Sequence, residues 1–157
     1  MSCDWLDPKE SEELWGLFEE WFGIPRPHFD GLRLLRRGEG VYAVAEGAAT
    51  YLDALHLRSA GLKVATVREV GGYRPASRGI QVFGRWATRR VCDLDDVQLG
   101  ALLRGASLPW EGERGLRLLR WRGAPVGFGT VRTEQLVAQL PRNVTEHLQL
   151  PRMTRLC

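Results

Sequence analysis

The segment between Asp7 and Pro25 constrains this chain most, because it reads as one amphipathic helix with both ends marked. Asp7 is a suitable N-cap, Pro8 fits the first helical position, and Glu10 completes a capping-box pattern, so the first turn's amides have partners. Leu14, Trp15, Leu17, Phe18, Trp21 and Phe22 recur at helical spacing and make one broad apolar face. Gly23 ends the helix, with Pro25 just beyond it. Burial of rings this large is a main source of stability for a small fold, so the face is read as core rather than as a ligand platform. The rest of the chain has to cover it.

Beyond Pro25 the chain reads as short elements separated by turn signals. Leu32–Arg36 and Val41–Ala45 read as strands joined across Arg37-Gly38-Glu39-Gly40. Ala48–Arg58 reads as a helix with Tyr51, Leu52 and Leu55 facing inward and Gly61 near its end. Leu62–Val67 alternates like a strand, and Gly71-Gly72 marks a turn. Residues 77–86 fit a helix or a strand, with Ile80, Val82, Phe83 and Trp86 expected inside. A second unit is expected from Arg85, which divides the chain into 1–84 and 85–157. It opens with a strand over Thr88–Cys92 and a helix capped by Asp93 with Asp96, which carries Leu99, Leu102 and Leu103 and ends at Gly105. Leu116–Trp121 and Val126–Val131 form a hairpin around Arg122-Gly123, and Leu136–Leu140 is a last strand stopped by Pro141. Residues 151–157 are expected to fray. Strand, helix, then several strands without parallel crossover units suggests a small mixed barrel, so the fold class is α+β.

Charge is uneven. Residues 1–30 hold eight acidic and two basic side chains, whereas residues 31–157 hold 20 basic and 11 acidic ones. All but two of the 22 cations are arginine, whose planar fork suits phosphate, although a GC-rich genome would give the same bias. A body of this sign can attract a polyanion, and the acidic first segment limits which face does so. Cys3, Cys92 and Cys157 form no CxxC pair, and reduced thiols are expected. His28, His56 and His147 are isolated, so no metal site is expected. Met1–Cys3 runs straight into Asp4 without a charged-then-apolar leader. No apolar run approaches the roughly 20 residues that a bilayer requires, so a cytoplasmic protein without membrane contact is expected.

The most informative stretch is Leu103-Arg104-Gly105-Ala106-Ser107-Leu108-Pro109, followed by Ala124-Pro125-Val126-Gly127-Phe128-Gly129-Thr130. Gly105 lets the chain leave its helix in a left-handed turn, and the small Ala106 and Ser107 would let backbone amides approach a phosphate beside Arg104. Gly127 and Gly129 lie two apart on a strand, so they clear one face, either for a ligand or for close packing within a barrel.

"LRGASLP" after a short helix, then "APVGFGTV" in a hairpin, resembles the PUA domain, a pseudobarrel found in RNA-modifying and ribosome-assembly proteins. Pro109-Trp110-Glu111-Gly112 stands where that domain often has a proline-glycine pair. In the first half, "ELWGLFEEWFGIPRPHFDGLRLLRRGEGVYAVAE", "AGLKVATV" and the later "QLPRNV" resemble the region around the PUA domain in the tails of the NOL1/NOP2/Sun family of RNA cytosine methyltransferases. A small ribosome-assembly factor of archaea and eukaryotes has a related layout and shares the "PxGFG" hairpin. The resemblance covers roughly residues 9–150. It implies a small α/β pre-PUA domain packed on a PUA-like mixed β pseudobarrel, and RNA binding as the activity.

The catalytic part of those methyltransferases has no counterpart. There is no glycine-rich loop for S-adenosylmethionine and no Pro-Cys dipeptide, and Gly38-Glu39-Gly40 is too short and too charged for a dinucleotide loop. Ser107 lacks a nearby histidine and a nucleophile-elbow sequence. Residues 85–150 contain neither lysine nor tyrosine, which disfavours a small PUA-like enzyme. The expectation is a non-catalytic protein without cofactor that binds structured rRNA or tRNA. It would act in ribosome assembly or as an accessory to a separate RNA-modifying enzyme. Arg104, Gly105, Ala106, Ser107, Arg120, Arg122, Arg132 and Arg142 are its candidate RNA contacts. Arg117 and Arg120 cannot both face one ligand from a regular strand, so one of them should be exposed or salt bridged. A third reading, docking of the acidic aromatic first helix on a partner protein such as a methyltransferase, requires Trp5 or Trp15 to be exposed.

Overall fold

The computed structural model describes residues 4–55 and 60–148. The chain divides into two compact units, 1–90 and 91–157, each with one five-stranded sheet and its own helices, so the fold is α+β.

The first unit runs β1 (Asp4–Trp5), α1 (Pro8–Phe22), a 3₁₀ turn (Arg26–Phe29), β2 (Leu32–Arg37), β3 (Gly40–Ala45), α2 (Glu46–Leu55), β4 (Leu62–Val67), β5 (Tyr73–Pro75), α3 (Ser77–Phe83) and a second 3₁₀ turn (Gly84–Trp86). Its sheet is an antiparallel meander in chain order. Helix α1 has the capping box read from sequence, with the Glu10 amide donating to Asp7 Oδ1 at 2.7 Å and the Asp7 amide to Glu10 Oε2 at 3.0 Å. Leu14, Trp15, Phe18 and Phe22 are buried, and Leu17 and Trp21 lie half-buried at the margins. Trp15 lies flat on Phe29 with ring centres 4.2 Å apart, while Phe18 and Phe83 meet Phe29 edge-on.

Three expectations change here. Helix α2 begins at Glu46, and Ala49 and Leu52 are its buried positions among the described residues. Tyr51, turned about 100° from Leu52, is 64% exposed, and Leu55 is 60% exposed at the helix's last described residue. The expected extension to Arg58 lies outside the described residues. Residues 77–83 are helical, which puts Gly79, Ile80 and Phe83 on one buried face and leaves Val82 exposed; Trp86 is half-buried under His28, stacked at 4.0 Å. Thr88 and Arg89 are not strand. Their amides donate to Phe22 O, the Thr88 hydroxyl to Gly23 O and the Arg89 guanidinium to Glu19 O, so they satisfy the orphan carbonyls at the end of α1. Residues 85–90 therefore belong to the first unit.

The second unit runs β6 (Val91–Leu94), α4 (Asp96–Leu103), β7 (Leu108–Pro109), β8 (Gly115–Trp121), β9 (Ala124–Arg132), β10 (Gln135–Gln139) and α5 (Arg142–His147), with sheet order β6-β8-β9-β10-β7. Strands β6 and β8 are parallel, so residues 95–114 make a crossover through α4, contrary to the expectation of none. The two-residue β7 interrupts that connection and hides its periodicity. Asp95, not Asp93 or Asp96, caps α4: its carboxylate accepts from the Gln98 amide at 2.7 Å, and Gln98 reaches back to the Asp95 amide at 2.9 Å. Cys92, Leu94, Leu99, Leu102, Leu119, Val131 and Leu136 form an aliphatic core. Gly129 faces this core, where a Cβ would lie 2.8 Å from Leu136 Cδ1 and 3.2 Å from Leu119 Cδ2. The space cleared by the "GFG" strand is filled by the protein itself, by Leu136 and Leu119 at Gly129 and by Pro141 and Leu140 at Gly127.

Candidate nucleic-acid interface

Strand alternation sorts the second sheet into two faces. Val131, Gly129 and Leu136 point into the core, so Thr130, Arg132, Gln135 and Val137 lie on the opposite face. On that face Leu118 and Phe128 are buried, Thr130 is half-buried, and Arg132, Gln135 and Val137 are exposed. Register pairs Arg132 with Gln135 and Thr130 with Val137, and Gln135 with Pro109. Gly115 pairs with Val131, which puts Arg114 beside Arg132. The Ser107 hydroxyl donates to Gln135 Oε1 at 2.9 Å, which leaves the Gln135 amino group as a donor. Arg114, Arg132, Gln135 and Ser107 thus form a polar row across one end of the sheet. Arg114, Gly115, Thr130, Val131, Arg132 and Thr133 line an open depression of about 330 Å³.

The predicted contacts fall into two groups. Arg104, Gly105, Ala106, Ser107 and Arg132 lie at this end, whereas Arg120 near the end of β8 and Arg122 in the β8–β9 turn lie at the other. Arg142 follows Pro141, whose ring packs by Gly127 toward that other end. Arg120 makes a two-point contact with Asp93 at 2.8 and 3.2 Å. Arg122 reaches Asp96 at 2.8 Å, and Asp96 also accepts from the Trp121 indole at 2.7 Å. The hydrogen bond from Arg120 holds the Asp93 carboxyl below its ordinary value, and the bonds from Trp121 and then Arg122 do the same for Asp96. Among the described residues, no carboxylate lies within ion-pair distance of Arg104, Arg114 or Arg132. Glu111, Glu113 and Glu134 occupy loops at this end, yet none lines the depression.

Arg117 is 9% exposed, and its guanidinium donates to the carbonyls of Leu116 and Glu113, which ties down the loop that carries Arg114. Of the Arg117–Arg120 pair, one is buried and the other salt bridged. The 104–107 loop is a Schellman cap: Gly105, at φ +84°, donates its amide to Leu102 O, and Ala106 donates to Ala101 O. Those two amides stabilise α4 and are not free to donate to a phosphate. Besides the Ser107 amide, which lies outside that cap, the loop offers the side chains of Arg104, exposed at the helix end, and Ser107.

Two turns in this sheet have positive φ at both central residues, the signature of the type I′ hairpin. Arg122 (φ +50°) and Gly123 (φ +78°) join β8 to β9, and Thr133 (φ +48°) and Glu134 (φ +58°) join β9 to β10. Sequence reasoning missed the second turn, because neither residue is glycine, asparagine or aspartate. It also missed Arg114, which stands just outside a strand.

Elsewhere the structure offers less for binding. Trp15 is 6% exposed and Trp5, in β1, lies half-buried under Arg33, so neither is the exposed ring that docking of the first helix on a partner requires. Burial pushes the Cys92 thiol up to about 11, which makes it a core residue rather than a nucleophile; Cys3, Cys157 and His56 lie outside the described residues. Among the described residues, no helix is long and apolar enough to cross a membrane. No protein-family model and no curated protein matches the sequence. Among solved structures, the chain is similar to that of a PUA domain from Aeropyrum pernix K1, in a tartrate complex: 19% identity, 86% of this chain and 73% of that one covered, TM-score 0.46.

Proposed function

We propose that this chain is an RNA-binding protein of the PUA type, which docks structured RNA on the polar row at the 104–107 end of its second sheet. The observation that carries the reading is the contrast in arginine pairing. Residues 91–157 hold nine arginines and seven carboxylates, so total charge gives little attraction. At one end, however, Arg104, Arg114 and Arg132 stand exposed and unneutralised around hydroxyl and amide donors. That combination suits phosphate and sugar contacts, which position folded RNA while its shape supplies most of the selectivity. The resemblance of "LRGASLP" and "APVGFGTV" to the PUA domain points the same way. Within this reading the protein acts in the cytoplasm without catalysis or cofactor, on rRNA or tRNA, in ribosome assembly or beside a separate RNA-modifying enzyme.

Titration against total tRNA at increasing salt tests this. Binding should weaken steeply, with a log–log slope of about −2 to −3 if three arginines meet phosphate. Arg104→Ala should reduce that slope by about one. Absence of binding at low salt overturns the proposal.

A further inference from the structure

The turn Thr133-Glu134 is a local anomaly. A β-branched residue at positive φ is strained, and the following residue is non-glycine as well. The other two-residue turn of the same sheet solves the same geometric problem with a glycine at its second position. The turn is held from outside, since the Trp110 amide donates to Glu134 O at 2.9 Å and β7 pairs with the start of β10. Hairpin stability alone would favour Asn-Gly there. Thr133 does line the depression, together with Thr130, Arg114 and Arg132.

We infer that this depression is a nucleotide-backbone site specific for RNA: Arg114 and Arg132 hold one phosphate, and the hydroxyls of Thr130 and Thr133 read the adjoining ribose 2′-hydroxyl. The inference rests on the RNA-binding reading above and names what that surface recognises. Arg114 and Arg132 both line the depression and no carboxylate does, which suits the charge of a phosphodiester. Its volume of about 330 Å³ is at the lower end of ligand sites, which run from roughly 300 to 1,000 Å³, so it admits one backbone unit. The 2′-hydroxyl donates and accepts, as threonine does, and is the group that separates RNA from DNA. The strained turn is retained because it carries Thr133 to that position.

The test measures an RNA hairpin and the DNA hairpin of the same sequence by fluorescence anisotropy against the full-length protein. Arg114→Ala should weaken both about tenfold, the scale of a charged hydrogen bond. Thr130→Val and Thr133→Val should each weaken RNA about three- to tenfold and leave DNA within about twofold, which collapses the RNA preference. The double variant Thr133→Gly with Glu134→Gly, which suits the turn and leaves no polar side chain at 133, should melt no lower than wild type and bind RNA as weakly as Thr133→Val; it keeps the test sharp if the valine variant is unstable. An unchanged RNA-to-DNA ratio in the threonine variants, or wild-type affinity in Arg114→Ala, overturns the inference while wild-type RNA binding persists. Loss of RNA binding by the wild type itself overturns the wider reading instead.

Discussion

The two ends of β9 pose the same problems and answer them oppositely. At its start, the turn Arg122-Gly123 uses a glycine, and the neighbouring arginines are paired with Asp93 and Asp96. At its end, the turn Thr133-Glu134 is strained, and Arg114 and Arg132 face a depression without a carboxylate. The first end satisfies its own groups and gains modest stability from them. The second leaves charge and strain unrelieved, the pattern expected where geometry is retained for a ligand rather than for folding. Arginine count does not distinguish the ends, whereas pairing does.

Charge reversal gives the largest contrast. Arg132→Glu should lower affinity for structured RNA about a hundredfold or more, because it removes a phosphate contact and adds repulsion beside Arg114. Arg122→Glu, placed against Asp96, should change affinity less than about threefold; filter binding at fixed salt compares the two. Equal losses at both ends would dissolve the distinction. The turns come next. Glu134→Gly should stabilise the protein by about 1 kcal/mol and Gly123→Ala destabilise it by about as much, both read from thermal melts, since each moves a positive-φ position toward or away from the residue that suits it.

Much of this was legible from sequence, and the gaps have physical causes. Helix α1 was readable because cap, apolar period and stop signal agree over one local stretch. The β8–β9 hairpin was readable because Arg-Gly between alternating strands is a local signal. Pairings between distant segments were not. Nothing in Thr88-Arg89 announces that it caps the carbonyls of Glu19, Phe22 and Gly23. Asp93, Asp95 and Asp96 look equivalent as caps until the parallel β6–β8 pairing assigns Asp93 to Arg120 and Asp96 to Trp121. Gly105 does turn the chain out of α4 as read, but the Gly105 and Ala106 amides belong to a Schellman cap, and the row that crosses Arg114, Arg132, Gln135 and Ser107 exists only once register is known.

The paired end should also reveal itself on its own. Arg120→Ala should reduce stability by only about 0.2–1 kcal/mol, the usual range for an exposed ion pair, and leave RNA affinity near wild type. Acid should undo the same contacts. Asp93 and Asp96 ionise more readily folded than unfolded. Their contribution to stability is therefore fully present above the ordinary carboxylate value of 3.8 and is lost as pH falls from there through the lower folded values. The Trp121 indole proton, which bonds to Asp96 Oδ1, reports this directly by NMR. Its resonance should hold from neutral pH to about 4 and move only below that. A titration of that resonance centred well above 4 would mean that Asp96 is not held by Trp121 and Arg122, and the self-satisfied character of this end would go with it.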